Sequence, residues 1–573
     1  MFSKASFLFC NLLFFCILLL APQSISLGQQ TQFLQHLWEV DPPLGNIWEI
    51  KQTNRTIRFD VESLRSTYAA DRLEAAQQIC LEHSNPNFRQ QERAIELLIE
   101  RLKSGEEYLQ IRRAMFAAAV SVGDESQAEM LWSLAKSDSV ILSLVEKNLV
   151  QWKSAAALKV WRQRLSEPNA KPTELATALE GLAVVGNSDD RFALQEFIGA
   201  SRTSVANRYL AACALGAIVT EGLNEFAQQV IDSDLEQRQL IASQLLRLHS
   251  GAITESQLRQ ILAGGSASAQ LVAYRWMSER IPDVAREFAK QMTTNSDPGL
   301  RTMALEHLQK FSDDESLEIQ AALLSDRHPA VRSLVAKHLL EKAKQGQRAI
   351  VDEIVVSHLN SEVWTGIEQA IVVAVGLQDR SHCQSLLRLM DYPRTEVNLH
   401  AGWALMELAN EPEILAGMLA YAEKMTIELK NVESRTSITE TDQIRLSYLH
   451  ESFGKNRYQP ATEMLTQYIP KTGHQFRIVC RASAIWALGK LNTGNYNKAL
   501  LASLYKRIMD LNPINPEDAL VRFACNLAVG EMANPESRET IEKYNEGLPN
   551  PLGYAANWAL SQIAQATKGK PVE

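Results

Sequence analysis

The side chains best suited to chemistry in this sequence are few and widely spaced. After the N-terminal pair Cys10 and Cys16 come Cys80, Cys213, Cys383, Cys480 and Cys525. A thiolate can attack carbon or hold a soft metal, but metal sites need several cysteines close in sequence. No CxxC or CxxCH occurs, and an odd set at such spacing is no disulfide framework. His307 and His338 stand 31 residues apart. On neighbouring helices they could share a metal ion, which would still lack the third and fourth ligands of a typical site. Asp189-Asp190 and Asp313-Asp314 are adjacent carboxylates of the kind that do general acid–base work. Both fall in turn-like stretches where acidic residues are ordinary. No HExxH, GxSxG, Walker or GxGxxG pattern is present. The remaining signal is aromatic. Trp-Ala-Leu recurs at Trp403, Trp486 and Trp558. Aromatic anchors dominate binding hot spots, so these three are the candidate groove-lining residues, with core filling as the alternative.

Each tripeptide sits inside a longer pattern. A polar residue is followed by small or apolar residues three, four, six and seven positions later. The pattern opens at Arg208, Arg238, Gln270, Arg301, Arg332, Glu368 and Asn398, in steps of 30, 32, 31, 31, 36 and 30 residues. It restarts at Arg481 and Arg522. Offsets of three, four and seven share one face of an α-helix. Small residues on that face let a neighbouring helix come close, and there Cys213 and Cys525 read as small hydrophobes. A second apolar stretch of helix length lies between successive motifs, as at Glu225–Asp232 and Val284–Met292. Turn residues separate the stretches: Gly264-Gly265, Asp297-Pro298, His328-Pro329 and Asn534-Pro535.

The expected fold is therefore all-α. It is an α-solenoid, a superhelix of stacked antiparallel helix pairs with about 30 residues per repeat. One such pair cannot bury its own apolar face, so pairs must stack. Stacking also answers the chain's length of 573 residues, since a single core stops growing near roughly 250–300.

The repeats resemble HEAT repeats, especially the short variety of phycobilisome-lyase-type HEAT-like proteins. Ser296-Asp297-Pro298-Gly299-Leu300-Arg301 and Ser325-Asp326-Arg327-His328-Pro329-Ala330-Val331-Arg332 are similar to that family's aspartate, proline, valine-arginine opening. The run Arg477 to Gly489 resembles its second helix. The resemblance spans residues 85 to 566 and implies binding surfaces rather than catalysis. It also implies structural roles for Asp297, Arg301, Asp326 and Arg332.

The pattern divides the chain. Residues 1–28 read as a signal peptide. Lys4 precedes an apolar run from Phe7 to Ala21, then Pro22 and small residues. That run is shorter than a membrane-spanning helix needs, although an uncleaved anchor is the alternative. Residues 29–84 form an N-terminal capping segment, with Leu37-Trp38 and Ile47-Trp48. Repeats fill 85–410 and 471–566. Between them, 411–470 carries helices and a polar insertion loop from Asn431 to Asp442. Residues 567–573 are a disordered tail.

The net charge is −9, with no long basic run, which gives no footprint for nucleic acid. The sequence thus predicts an exported (periplasmic or extracellular) scaffold with a protein partner, no cofactor, no metal and no catalysis. The alternatives are a HEAT-like lyase or isomerase, which the resemblance allows, and a self-associating structural envelope protein.

Overall fold

The computed structural model describes residues 60–85, 88–135, 138–167, 169–431, 440–471, 476–547 and 550–568. The signal segment and the Trp38 and Trp48 stretch lie outside these residues. The described residues form α-helices and short 3-10 or π turns, with no strand among them. No described helix is long and apolar enough to cross a membrane.

They fall into two compact units that divide after Ser316. In the first, the motif helices are Ala69–Glu82, Leu109–Val122, Ser139–Gln151, Pro172–Val185, Val205–Ile218, Arg238–Leu245, Ala267–Arg280 and Pro298–Leu308. Each after the first packs on the motif helix before it and on a companion helix that precedes it in sequence. Those companions run from Gln91–Ser104 to Pro282–Thr293. The second unit repeats the plan. Its motif helices are Pro329–Lys342, Trp364–Gly376, Thr395–Leu408, Glu440–Lys455, Ile478–Leu491, Ala519–Met532 and Pro551–Lys568. Its companions run from Arg348–Leu359 to Arg538–Lys543. Each unit is a stack of antiparallel helix pairs, as the repeat predicts.

Local sequence explains where the helices begin. The Ser204 hydroxyl accepts from the Asn207 amide, Ser266 from Ala269, and the Asp297 carboxylate from Leu300. Such caps fill donors that the first helical turn leaves open. Pro172, Pro282, Pro298 and Pro329 take the first helical position, where the missing N–H costs nothing.

In most motifs the opening polar residue donates to a carbonyl at or just beyond the end of the helix before it. Arg208 Nε and Nη2 donate to the carbonyls of Ile198 (3.0 Å) and Ala200 (2.9 Å). Gln270 donates to Leu262 O at 2.8 Å, Arg301 to Asn295 O at 2.9 Å and Arg332 to Asp326 O at 2.9 Å. Asn398, Arg481 and Arg522 do the same to Tyr392, Ile469 and Ile508. The carbonyls at a helix C-terminus have no intrahelical donor, and a cation is also favoured there by the helix dipole. Arg445 is the long-range case, donating to Met390 O 55 residues earlier at 3.3 Å.

The stack already includes Ala69–Glu82, inside the span 29–84 read as a cap. That helix buries Ala75, Ala76 and Ile79, a narrow stripe that its many polar residues obscure. At the polar insertion, 432–439 lie outside the described residues. Glu440, Thr441 and Asp442 open the helix Glu440–Lys455, since acidic residues suit a first turn.

Candidate binding surface

The three Trp-Ala-Leu tryptophans occupy one motif position but have different surroundings. Trp486 is buried. Its ring lies where a Cβ on Gly454 would be, with 2.6 Å to Cζ3. Lys490 Nζ sits 5.6 Å from the ring centroid. Trp558 is half-buried and fills the matching notch over Gly530, where a Cβ would stand 2.4 Å from Cζ3. Both rings therefore lock one motif helix to the next.

Trp403 is half-buried and belongs to a polar, aromatic row. Its ring meets His400 edge-on at 6.3 Å. His400 Nδ1 is 3.8 Å from Glu368, which is 3.6 Å from Arg332 Nη2. The Trp364 ring lies beneath two guanidinium groups, Arg394 at 4.5 Å and Arg332 at 6.0 Å. Arg332, Glu368 and His400 come from three successive motif helices, so the row crosses the stack. Trp364 was not visible as a candidate because it lacks the Trp-Ala-Leu context. Its signal is position: it precedes Glu368 by four residues, one helical turn, on the same face.

The residues with chemical potential are placed for structure. His307 is buried and its Nε2 meets Pro282 O at 3.0 Å. Its ring packs edge-on against Tyr274 and Phe311. His338 is buried in the other unit. Burial lowers the pKa of both imidazoles. Asp190 accepts from the Asn187 amide and pairs with Arg162 at 2.7 Å. Asp313 accepts from the Ser316 amide and hydroxyl and pairs with Arg286 at 2.5 Å. Asp297 caps its own helix, and Asp326 accepts from the His328 amide at 2.7 Å.

All five described cysteines are free. Burial raises the pKa of every one, to about 11 for Cys213 and for Cys383. At neutral pH they are thiols, which are poor nucleophiles and poor metal ligands. Cys480 instead donates to Gln443 O at 2.7 Å.

Among the described residues, one trio could hold a metal by proximity. Asp352, Asp379 and His382 have ligand atoms within 4.8 Å of one another. Arg348 lies among them, with Nε 2.8 Å from Asp352 and Nη2 2.8 Å from Asp379. Burial pushes the Asp379 pKa up, but hydrogen bonds from Ser381 and Arg348 outweigh it and hold it at about 2. The guanidinium supplies the positive charge a metal would bring.

No protein-family model matches the chain, and no curated protein sequence does. Solved structures similar to it include importin beta in an ammonium sulfate condition. It has 13% identity and a TM-score of 0.44, covering 88% of this chain and 72% of that one. A structure of Kap95p binding RanGDP has 13% identity and a TM-score of 0.46, covering 89% and 72%. The complex of CpcE and CpcF of phycocyanin lyase from Nostoc sp. PCC7120 has 12% identity and a TM-score of 0.25. It covers 48% of this chain and 94% of that one.

Proposed function

We propose that this chain is an exported scaffold that binds a protein partner along its motif helices. The row Arg332, Trp364, Glu368, Arg394, His400 and Trp403 carries the reading. It combines tryptophan and arginine, the residues enriched at interface hot spots, on helices held rigid by the stack. Export rests on the N-terminal residues 1–28, whose charged start, apolar run and small-residue end have the form of a signal peptide.

The test is crosslinking and affinity capture of the tagged full-length chain from its native cells, with mass spectrometry. The wild type is compared with a Trp364→Ala/Trp403→Ala double variant. A partner captured by the wild type and lost by the double variant supports the scaffold. Crosslinks only between copies of the chain would replace it with a self-associating spacer. Fractionation with N-terminal sequencing tests export. An intact Met1 on cytoplasmic protein would overturn it.

A further inference from the structure

The arginines of this chain are used economically. Among the described residues, each buried or half-buried arginine has a carboxylate or backbone carbonyl as partner, with two exceptions. Arg72 pairs with Glu107, Arg164 with Glu146 and Arg481 with Glu517, while Arg208 and Arg301 take carbonyls. Arg247 and Arg275 are half-buried, and neither has a carboxylate within 4.0 Å or an acceptor for its guanidinium. A guanidinium carries five donors and stays charged at any physiological pH.

The two belong to one cluster. The helices Val205–Ile218, Arg238–Leu245 and Ala267–Arg280 are consecutive in the stack. Gln244 Nε2 lies 3.5 Å from the Tyr209 hydroxyl, and Arg247 stands in the turn that directly follows this helix. Gly216 lets the first two helices close on each other there, since a Cβ would meet Gln244 O at 2.2 Å. Arg275 stands five residues after Gln270. That is the motif position which Trp403, Trp486 and Trp558 take in the other unit. Both guanidinium groups act on the Tyr209 hydroxyl through space. Burial outweighs them and keeps Tyr209 protonated, and its hydroxyl also meets the Cys213 thiol.

We propose that Arg247 and Arg275, with the Tyr209 hydroxyl, receive a carboxylate from an acidic segment of the bound partner. Neither guanidinium has a carboxylate within ion-pair distance of its own. The chain's overall charge of −9 disfavours long polyanions, whereas a single carboxylate meets only the local field. Leu248, exposed beside Arg247, gives the segment an apolar contact next to the charge. This deepens the protein-binding reading and rests on it.

The experiment is calorimetric titration of the full-length chain at low ionic strength with a capped pentaglutamate peptide and, separately, inorganic phosphate. The wild type should bind one peptide per chain. Arg247→Gln/Arg275→Gln should bind it at least about tenfold more weakly, the effect of losing charged hydrogen bonds. Tyr209→Phe, which keeps the ring and its packing, should weaken it several-fold. Arg202→Gln, at an exposed arginine outside the cluster, should not change it. Thermal unfolding run in parallel should show the variants folded. No peptide binding by wild type, or equal binding by the double variant, overturns the site. Phosphate binding without peptide binding overturns the acidic-segment assignment. Peptide binding alongside failed capture of any native partner would count against the scaffold and leave the site standing.

Discussion

His450 makes folding of the second unit sensitive to acid. Its ring has no solvent exposure, with Nδ1 3.3 Å from Cys480 O and 3.2 Å from Ser483 Oγ. It packs edge-on against Tyr468, with ring centroids 4.6 Å apart. Burial lowers its pKa to about 3, against 6.5 for a free imidazole. A histidine held neutral in the fold binds its proton only after unfolding. Its contribution is therefore intact above pH 6.5 and falls as the pH drops from there towards 3. Relative to neutral pH, this shifts the folding equilibrium at about pH 4.5 towards the unfolded form by a factor of roughly 100, or about 2.7 kcal/mol. Urea unfolding followed by circular dichroism at about pH 7.5 and pH 4.5, on wild type and His450→Gln, measures this. The variant loses packing at both pH values, so the quantity to compare is the drop between them. That drop should be smaller in the variant by about 2–3 kcal/mol. His249, His307 and His338, whose pKa values burial also lowers, stay in both proteins and cancel. Equal drops in the two proteins would refute the reasoning.

Arg208→Ala removes two charged hydrogen bonds to helix-end carbonyls, and chemical denaturation should show a loss of about 2–4 kcal/mol. Gly530→Ala would gain about 1 kcal/mol in an isolated helix. Here the added methyl meets the Trp558 ring at 2.4 Å, so calorimetry should show destabilisation of about 1–3 kcal/mol instead. Trp486→Ala, at a buried ring, should cost about 3–5 kcal/mol of stability. Trp403→Ala should cost about 1 kcal/mol and act chiefly on partner capture. Equal losses at the two tryptophans would erase the distinction drawn between them.

The fold was legible because its signal is periodic. Arg208, Arg301 and Arg332 stood out as members of a series with steps of 30 to 36 residues before any contact was known. What they do was not legible, because the acceptors are backbone carbonyls, which every residue has. The site was less readable still. Trp364 lies outside the repeated tripeptide, and its two cationic neighbours come from the adjoining motif helix and the turn before Thr395. The unpaired state of Arg247 and Arg275 depends on where every carboxylate ends up. Arg481 finds Glu517 36 residues away, and sequence alone does not say which arginines find no such partner. The alternation of polar and apolar residues also failed to mark Ala69–Glu82 as part of the stack, since alanines supply much of its buried stripe.

The gripping of each companion helix by the next motif residue bears on how such a chain changes length over generations. Arg208 and Ile198 are ten residues apart, and Gln270 and Leu262 eight. Each fastening lies within a single genetic cassette. Duplicating or deleting one whole repeat carries both halves of a fastening together and severs none. Arg445 and Met390 break this rule, because their bond encloses the helix Pro412–Asn431. Unequal recombination should therefore find the array permissive through residues 191–309 and resistant between 390 and 445.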